Sequence, residues 1–166
     1  MWKFLSNGAM IFAGVVSAPV VVTTFDVNAM VRLAPPGGGT DDLRLTLLQR
    51  FFESSDAPAL AYSHVFLAEA DFYDLDWRLL PSISFVETTG GKTARNNNLF
   101  GWDCGRAEFI SVSEGIRTVA YSLANSPYYK DKELDELLWA YNPNAEYSRK
   151  VKSVMDRIAP AGVRAN

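Results

Sequence analysis

The sequence predicts a mainly α-helical domain of about six helices, and two observations support this fold class. Apolar residues recur at helical spacing in successive segments between residues 43 and 158. Proline, glycine and Asn-Pro breaks separate these segments, so each is short enough to be a single globular helix. Residues 88–112 form the longest stretch without this spacing, and some strand character there leaves room for a small β element.

Length and composition indicate one globular domain without a nucleic-acid or metal signature. The chain has 166 residues, of which 48% are hydrophobic and 21% charged. A net charge of −3 and the lack of a Lys/Arg run argue against a nucleic-acid partner. One cysteine, Cys104, and one histidine, His64, exclude an intramolecular disulfide and argue against a metal site, so we expect no metal and no cofactor. We expect Cys104 to be a partly buried thiol and His64 an ordinary helix residue, because no nucleophile elbow accompanies it.

Residues 1–29 are predicted to be a signal peptide or an N-terminal anchor. Residues 9–22 are apolar, Lys3 is the only base, and residues 27–29 have the small-residue spacing of a signal-peptidase site. The apolar stretch is nearly long enough to span a bilayer, so an uncleaved anchor is the alternative. A buried core helix is a third option, which Pro19 and the β-branched residues after it weaken. We therefore expect an exported protein of the periplasm, cell envelope or extracellular space, which contacts a membrane only if this segment is retained.

A Pro/Gly linker at residues 30–40 separates this segment from a folded domain at residues 41–166. Two prolines and three glycines follow one another in the linker, and such a run holds neither a helix nor a strand. The first helix opens at Asp41-Asp42, and the second runs from about residue 58 to residue 73. Their inward faces are predicted from spacing to be Leu43, Leu47, Leu48, Phe51 and Phe52 in the first helix, and Ala61, Val65, Ala68 and Phe72 in the second.

Four further helices are predicted downstream. The third begins near residue 79, has Leu79, Leu80, Ile83 and Val86 on its apolar face, and ends at the glycine pair 90–91. A helix from about residue 112 to 125 opens with a capping box formed by Ser111 and Glu114. Asp131 begins the next helix, which an Asn-Pro pair ends at residues 142–143. The last helix spans about residues 145–158.

Glu87 is the candidate catalytic residue. It lies in the last turn of the third predicted helix, where the negative end of the helix dipole disfavours an ionised carboxylate. Its neighbours Phe85 and Val86 are apolar, and partial burial would raise its pKa further. A carboxyl that stays protonated near neutral pH can act as a general acid on a glycosidic oxygen. The stretch at residues 96–102 offers side-chain amides and aromatic rings, which are groups that line sugar-binding grooves.

Two motifs around this residue resemble the signature of bacterial peptidoglycan glucosaminidases, the endo-β-N-acetylglucosaminidase family of the lysozyme-like superfamily. The first is Glu-Thr-Thr-Gly-Gly-Lys at residues 87–92, and the second is Asn-Asn-Leu-Phe-Gly-Trp at residues 97–102. The similarity extends to Tyr-Asn-Pro at residues 141–143 with Tyr147, and overall to about residues 58–159. It implies an α+β lysozyme-like domain whose helices surround a groove. It also implies a glycoside hydrolase that cleaves β-1,4 bonds of peptidoglycan.

The resemblance implies roles for individual residues. Glu87 is expected to be the general acid, and Tyr141 is expected to face the same groove. The residues expected to shape the groove and bind substrate are Asn98, Phe100, Gly101 and Trp102. Trp102 stands where an aliphatic residue is common in the family, so it is either a stacking platform for a sugar or a core residue. Peptidoglycan glycan strands are the expected partner, and we expect a monomer.

The second catalytic group is not defined by the sequence. Glu108 is favoured narrowly over Asp103 as a base or nucleophile across the sugar, whereas Glu114 is better explained as a helix cap. A mechanism without a second protein carboxylate is the other option. In that case the N-acetyl group of the substrate attacks with assistance from Tyr141, or Glu87 acts as acid and then as base and yields an anhydro sugar.

Two other functions stay open at this level. A lytic transglycosylase on the same scaffold would need the same glutamate. A non-catalytic wall-binding domain would explain why no second carboxylate is evident.

Overall fold

Six α-helices and one 3-10 helix make up most of residues 42–162, the part of the chain that the computed structural model describes. They are α1 (Leu43–Ser54), the 3-10 helix (Pro58–Tyr62), α2 (Ser63–Phe72), α3 (Leu79–Thr88), α4 (Val112–Asn125), α5 (Leu134–Tyr141) and α6 (Ala145–Ile158). The mainly α-helical class predicted from the sequence is confirmed. The predicted signal peptide or anchor at residues 1–29 and the linker at residues 30–40 lie outside the described residues. None of the described helices has the length and apolar character needed to cross a membrane.

Helix α1 begins at Asp42, whose side chain accepts a hydrogen bond from the Arg44 N–H at 2.9 Å. The Arg44 guanidinium is buried, and it also binds the carboxylate of Asp71 on α2 at 2.6 Å. Leu48 and Phe52 are fully buried, as predicted for the inward face, whereas Leu43 at the start of the helix is 49% exposed, contrary to the prediction. A cap and an ion pair therefore fix the start of α1 against α2.

The second predicted helix is divided, and its predicted inward face is confirmed only at Val65, which is buried. Residues 58–62 form a 3-10 turn after a proline, and the α-helix begins only at Ser63. Ala68 is exposed and Phe72 is 71% exposed, whereas Phe66 is fully buried. Apolar residues occur on more than one side of α2, so spacing alone does not define the inward face. Packing against α1, α3 and α4 decides it.

Helix α3 is the central helix of the domain and packs along α6. Residues 79–84 are buried without interruption. The helix ends beside the predicted glycine pair, but Thr89 is the first residue in the left-handed region, with φ of 54°. Gly90 then donates its N–H to the Ser84 carbonyl at 3.1 Å. A Cβ on Gly90 would lie 2.8 Å from the Ala57 Cβ, so the glycine lets this turn approach the 3-10 helix closely.

The predicted β element is reduced, within the described part of the chain, to one isolated bridge between Arg95 and Asn98. The strand character proposed for residues 109–112 does not produce a strand. Residues with left-handed φ recur through the segment, at positions 89–91, 96, 97, 101 and 103–105. A chain that reverses so often cannot maintain a ladder, so the segment is a series of turns.

The remaining helices follow the predicted boundaries closely. Ser111 caps α4 by accepting the Glu114 N–H at 3.1 Å, as predicted. The Glu114 carboxylate accepts the Ile110 N–H at 2.6 Å and not the Ser111 N–H, so the reciprocal bond of the predicted capping box is displaced by one residue. Helix α5 begins at Leu134 and not at Asp131, because Asp131 has φ of 60° and lies in a turn. The Asn-Pro pair ends α5, and α6 spans the predicted residues.

Candidate active site

Glu87 lies one residue before the end of α3, with its side chain half-buried. The pKa of its carboxyl is raised above the ordinary value, chiefly because burial disfavours the charged form. The Tyr147 hydroxyl faces the carboxyl and partly offsets this rise. That hydroxyl is itself buried and makes no hydrogen bond of standard geometry to any described residue. The site therefore shifts the titration of Glu87 towards higher pH.

Gly101 lies directly against the Glu87 carboxyl. A Cβ placed on Gly101 would be 2.8 Å from Glu87 Oε2 and 3.5 Å from its Cδ. Gly101 also has φ of 59°, a conformation that side-chain-bearing residues rarely adopt. Position 101 thus requires glycine for two reasons: the backbone turns there with a positive φ, and a side chain would collide with the Glu87 carboxyl. The structure brings together two of the residues that the sequence placed at the site.

Asn98 organises the loop that carries Gly101. Its side chain is 3% exposed and its amide group is used entirely within the loop. Oδ1 accepts the Trp102 N–H at 2.9 Å and the Phe100 N–H at 3.3 Å. Nδ2 donates to the carbonyls of Trp102 at 3.0 Å and Ala107 at 3.2 Å. Asn98 therefore shapes the site by folding the backbone, and it has no remaining capacity to bind a sugar through its side chain.

Thr88 ties the end of α3 to the same loop. Its Oγ1 lies 2.8 Å from the Leu99 carbonyl oxygen and 3.1 Å from the Ser84 carbonyl oxygen. It also accepts the Gly91 N–H at 3.0 Å. The residue next to Glu87 thus fixes the distance between the helix end and the loop that covers the carboxyl.

An aromatic cluster backs the site on the side of α5 and α6. The Tyr141 and Tyr147 rings are stacked, with centroids 5.9 Å apart and planes 7° from parallel. The Tyr141 hydroxyl donates to the Phe100 carbonyl at 2.8 Å, so it supports the backbone just before Gly101. Burial, and then the nearby charge of Glu87, raise the pKa of Tyr141 well above its ordinary value. Tyr141 lies at the site as predicted, while its catalytic role remains a prediction.

The two other predicted groove residues differ in exposure. Phe100 is fully buried and its ring packs edge-on against Phe66, so only its backbone can contribute to the site. Trp102 is partly exposed and lies 5.8 Å from the Tyr141 ring and 6.2 Å from the Tyr129 ring. Trp102 thus belongs to the aromatic cluster and also presents part of its surface to solvent.

The candidates for the second catalytic carboxylate are both exposed and bind groups of their own segment. Glu108 accepts a hydrogen bond from the Asn96 side chain at 3.0 Å. Asp103 forms an ion pair with Arg106 at 2.8 Å. Burial and Tyr147 account for the shifted pKa of Glu87, with no contribution from another described carboxylate. Their roles as base or nucleophile remain predictions.

No cluster of three or more histidine, cysteine or acidic side chains suited to a metal ion occurs in residues 42–162. His64 is an exposed residue of α2. Cys104 is exposed, contrary to the expected partial burial, because it lies in the left-handed turn at residues 103–105 that projects from the domain.

Tyr147 and Thr88 are site residues to which the sequence gave no separate role. Tyr147 entered the sequence analysis only as part of the similarity that includes residues 141–143, and Thr88 only as part of the motif at residues 87–92. For Tyr147 the signal was its place in the Tyr-Asn-Pro-containing segment, six residues after Tyr141. For Thr88 the signal was a hydroxyl next to the acid at a helix end, a position that suits capping bonds.

Two open surface depressions lie beside the site. One, of about 590 Å³, is lined by residues of α3 and α6, and the other, of about 720 Å³, is lined by residues near the 3-10 helix and Lys92. Glu87 lines neither of them. The close approach of Gly101 to the Glu87 carboxyl defines the site better than these depressions do, because it involves the carboxyl itself.

Comparison of the chain with family models, curated proteins and solved structures gives no match. The described residues thus define a mainly α-helical domain with one half-buried acid at the end of its central helix.

Proposed function

We propose that this protein is an exported glycoside hydrolase of the endo-β-N-acetylglucosaminidase type, which cleaves β-1,4 bonds of peptidoglycan with Glu87 as its general acid. The supporting observation is the environment of Glu87, a half-buried carboxyl with a raised pKa between Gly101 and the Tyr147 hydroxyl. A lysozyme-like arrangement of the helices is part of the proposal. The two motifs at residues 87–92 and 97–102 that resemble the glucosaminidase signature support it from the sequence.

The proposed chemistry begins with a proton transfer from Glu87. The protonated carboxyl donates to the glycosidic oxygen as the bond from that oxygen to the anomeric carbon breaks, and the leaving sugar keeps the proton. In net hydrolysis a water oxygen then bonds to the anomeric carbon, and the proton that this water loses restores the protonated form of Glu87. Such a transfer needs the two oxygens within about 2.6–3.2 Å of each other. The backbone of Gly101 lies against the carboxyl and the Tyr147 hydroxyl faces it, and these two neighbours favour one donor position.

A lytic transglycosylase is the second candidate, and the environment of the other acids favours it. Glu108 and Asp103 are exposed and bind Asn96 and Arg106, and neither of them contributes to the shifted pKa of Glu87. In a transglycosylase one carboxyl is sufficient. After donating its proton, ionised Glu87 accepts the proton of the sugar's own C6 hydroxyl as that oxygen attacks the anomeric carbon, and a 1,6-anhydro sugar forms without water.

The first experiment is a zymogram with embedded bacterial cell walls. Wild-type protein should clear the gel, and Glu87→Gln should not, because an amide cannot donate a catalytic proton. Glu136→Gln is the matched control, since Glu136 is an exposed acid on α5. Circular dichroism must show that both variants are folded. Clearing by folded Glu87→Gln would overturn the catalytic assignment.

Product analysis separates the two reactions. Mass spectrometry of released fragments should find a reducing N-acetylglucosamine end for hydrolysis and a 1,6-anhydro end for transglycosylation. Tight glycan binding without either product would instead indicate a non-catalytic wall-binding domain.

A further inference from the structure

A groove with a basic rim runs along α6 next to the candidate active site. It has a volume of about 590 Å³ and is called here the cationic groove. Its lining residues are Phe85, Val86, Glu146, Arg149, Lys150, Ser153, Val154 and Arg157. Phe85 and Val86 directly precede Glu87, and Glu146 directly precedes Tyr147. The cationic groove therefore begins one residue away from two groups of the site.

The charges of the cationic groove contrast with those of the whole chain. The groove has three basic residues and one acidic residue, in a protein of net charge −3. Glu146 neutralises Lys150 through an ion pair at 2.8 Å. Neither Arg149 nor Arg157 forms a direct ion pair with a described residue. Arg149 donates only to the Ala145 carbonyl at 3.4 Å. Two guanidinium groups thus remain available for an anionic ligand.

Aromatic rings hold one of these guanidinium groups in place. The Arg157 guanidinium lies 5.4 Å from the centroid of the Phe51 ring and 5.5 Å from that of the Phe85 ring. Such contacts restrict the side chain while leaving its N–H groups able to donate. A guanidinium fixed in this way can bind a carboxylate through two parallel hydrogen bonds.

The spacing of the arginines indicates the shape of the ligand. Arg149, Ser153 and Arg157 recur at every fourth residue, so they lie along one side of α6. The eight-residue separation of the two arginines corresponds to about 12 Å along a helix axis. An extended peptide covers about 3.4 Å per residue, so the two arginines match carboxylates about three or four residues apart. Phe85, Val86 and Val154 add an apolar floor for the side chains between them.

We propose that the cationic groove binds a short acidic peptide through Arg149 and Arg157. This inference rests on the proposed function for the identity of the peptide, which is the stem attached to peptidoglycan glycan strands. Binding of the stem along α6 positions the glycan next to Glu87. Wall with carboxylate-bearing stems is therefore a better substrate than wall whose stems are amidated.

Fluorescence anisotropy with a labelled, free peptide stem tests the proposal without requiring catalysis. The measurement compares the acidic stem with its amidated form at low salt, in wild-type protein and in Arg149→Gln, Arg157→Gln and the double variant. Exposed ion pairs contribute about 0.2–1 kcal/mol each, so each single variant should bind about 1.4- to fivefold more weakly. The double variant should bind about tenfold more weakly, and lysine at position 149 should restore part of the affinity.

Arg50→Gln is the control, because Arg50 is an exposed base on α1 outside the cationic groove and the substitution changes the net charge equally. Thermal unfolding verifies that Arg157→Gln retains its fold; Arg157→Lys keeps the charge if it does not. The proposal is overturned if wild-type protein does not bind the stem, if the amidated stem binds equally, or if Arg50→Gln has the same effect. Binding of a phosphate polymer but not of the stem also overturns it.

These outcomes are distinguishable from failure of the proposed function. If cell-wall clearing depends on Glu87 but the protein does not bind the stem, only the role of the cationic groove is refuted. Stem binding without any Glu87-dependent clearing refutes the enzymatic proposal and leaves acidic-peptide binding intact.

Discussion

Replacing Gly101 with alanine tests the contact on which the candidate site depends. The added Cβ would lie 2.8 Å from Glu87 Oε2, whereas ordinary contacts begin at 3.4 Å. The carboxyl must therefore move by about 0.6 Å or more, or the loop must shift. The same substitution forces alanine into a left-handed backbone conformation, since φ at this position is 59°.

The expected loss of stability has two parts. A left-handed conformation costs a residue with a side chain roughly 1–2 kcal/mol. Overpacking against the carboxyl adds roughly 1–3 kcal/mol, less if the Glu87 side chain rotates away. Gly105→Ala is the matched control, because Gly105 has φ of 80° but nothing within 4 Å of its added Cβ. We expect Gly101→Ala to lower the free energy of unfolding by about 2–5 kcal/mol and Gly105→Ala by about 1–2 kcal/mol.

Urea unfolding of both variants, and of each in a Glu87→Ala background, measures the contact directly. In the Glu87→Ala background, Gly101→Ala should lower the free energy of unfolding by only about as much as Gly105→Ala does. The coupling energy between the Gly101 and Glu87 substitutions should therefore be roughly 1–3 kcal/mol. In cell-wall turnover we expect Gly101→Ala to lose about ten- to a hundredfold in kcat/KM, because small displacements of a catalytic group have effects of this size. Equal stability and equal turnover in the two alanine variants would refute the reasoning.

Four further predictions concern the same site. Glu87→Gln should stabilise the protein at neutral pH. Burial raises the pKa of the Glu87 carboxyl in the folded state. Below the unfolded-state pKa of about 4.3 this carboxyl is protonated in both states, and the wild type has its full stability. That stability is lost as the pH rises through the folded-state pKa of Glu87. Thermal melts of both proteins should coincide near pH 3 and separate at higher pH, and a constant difference would contradict this. Tyr147→Phe removes a hydroxyl that lowers the pKa of Glu87, so the alkaline limb of the kcat profile should move to higher pH. Tyr141→Phe instead leaves the Phe100 carbonyl without its partner, and should cost about 1–3 kcal/mol in unfolding free energy. Asn98→Ala should destabilise the protein by about 2–4 kcal/mol in urea unfolding, because it removes the partner of the Phe100 and Trp102 N–H groups and of the Ala107 carbonyl. The exposed Asn96→Ala is its control, and an equal effect of the two would refute the role of Asn98 in the loop.

Most helix boundaries could be predicted because capping and helix-breaking residues act on the one or two helical turns next to them. The Ser111 cap and its partner Glu114 are three residues apart, and the Asn-Pro pair ends α5 through its own backbone. The inward face of α2 could not be predicted in the same way. Its apolar residues occur on several sides, so the surrounding helices determine that Phe66 is buried and Phe72 exposed.

The candidate site was predictable in part. A glutamate in the last turn of an apolar helix could be recognised from the sequence, as could the motif that contains Gly101. The function of Asn98 could not, because an asparagine in a turn-rich segment is normally exposed, and only the folded loop shows that its amide is buried and fully bonded. The approach of Tyr147 to the carboxyl is likewise a contact between residues 60 positions apart.

The sequence by itself determined that a carboxyl stands at the end of an apolar helix, followed by a glycine- and asparagine-rich loop. Helix periodicity, caps and breaks depend on residues close together in the sequence, so short segments are sufficient to predict these features. Only the tertiary structure decided that Gly101 covers the carboxyl, that two tyrosines back it, and that burial raises its pKa. The physical reason is that burial and electrostatic environment depend on atoms brought together from distant parts of the chain.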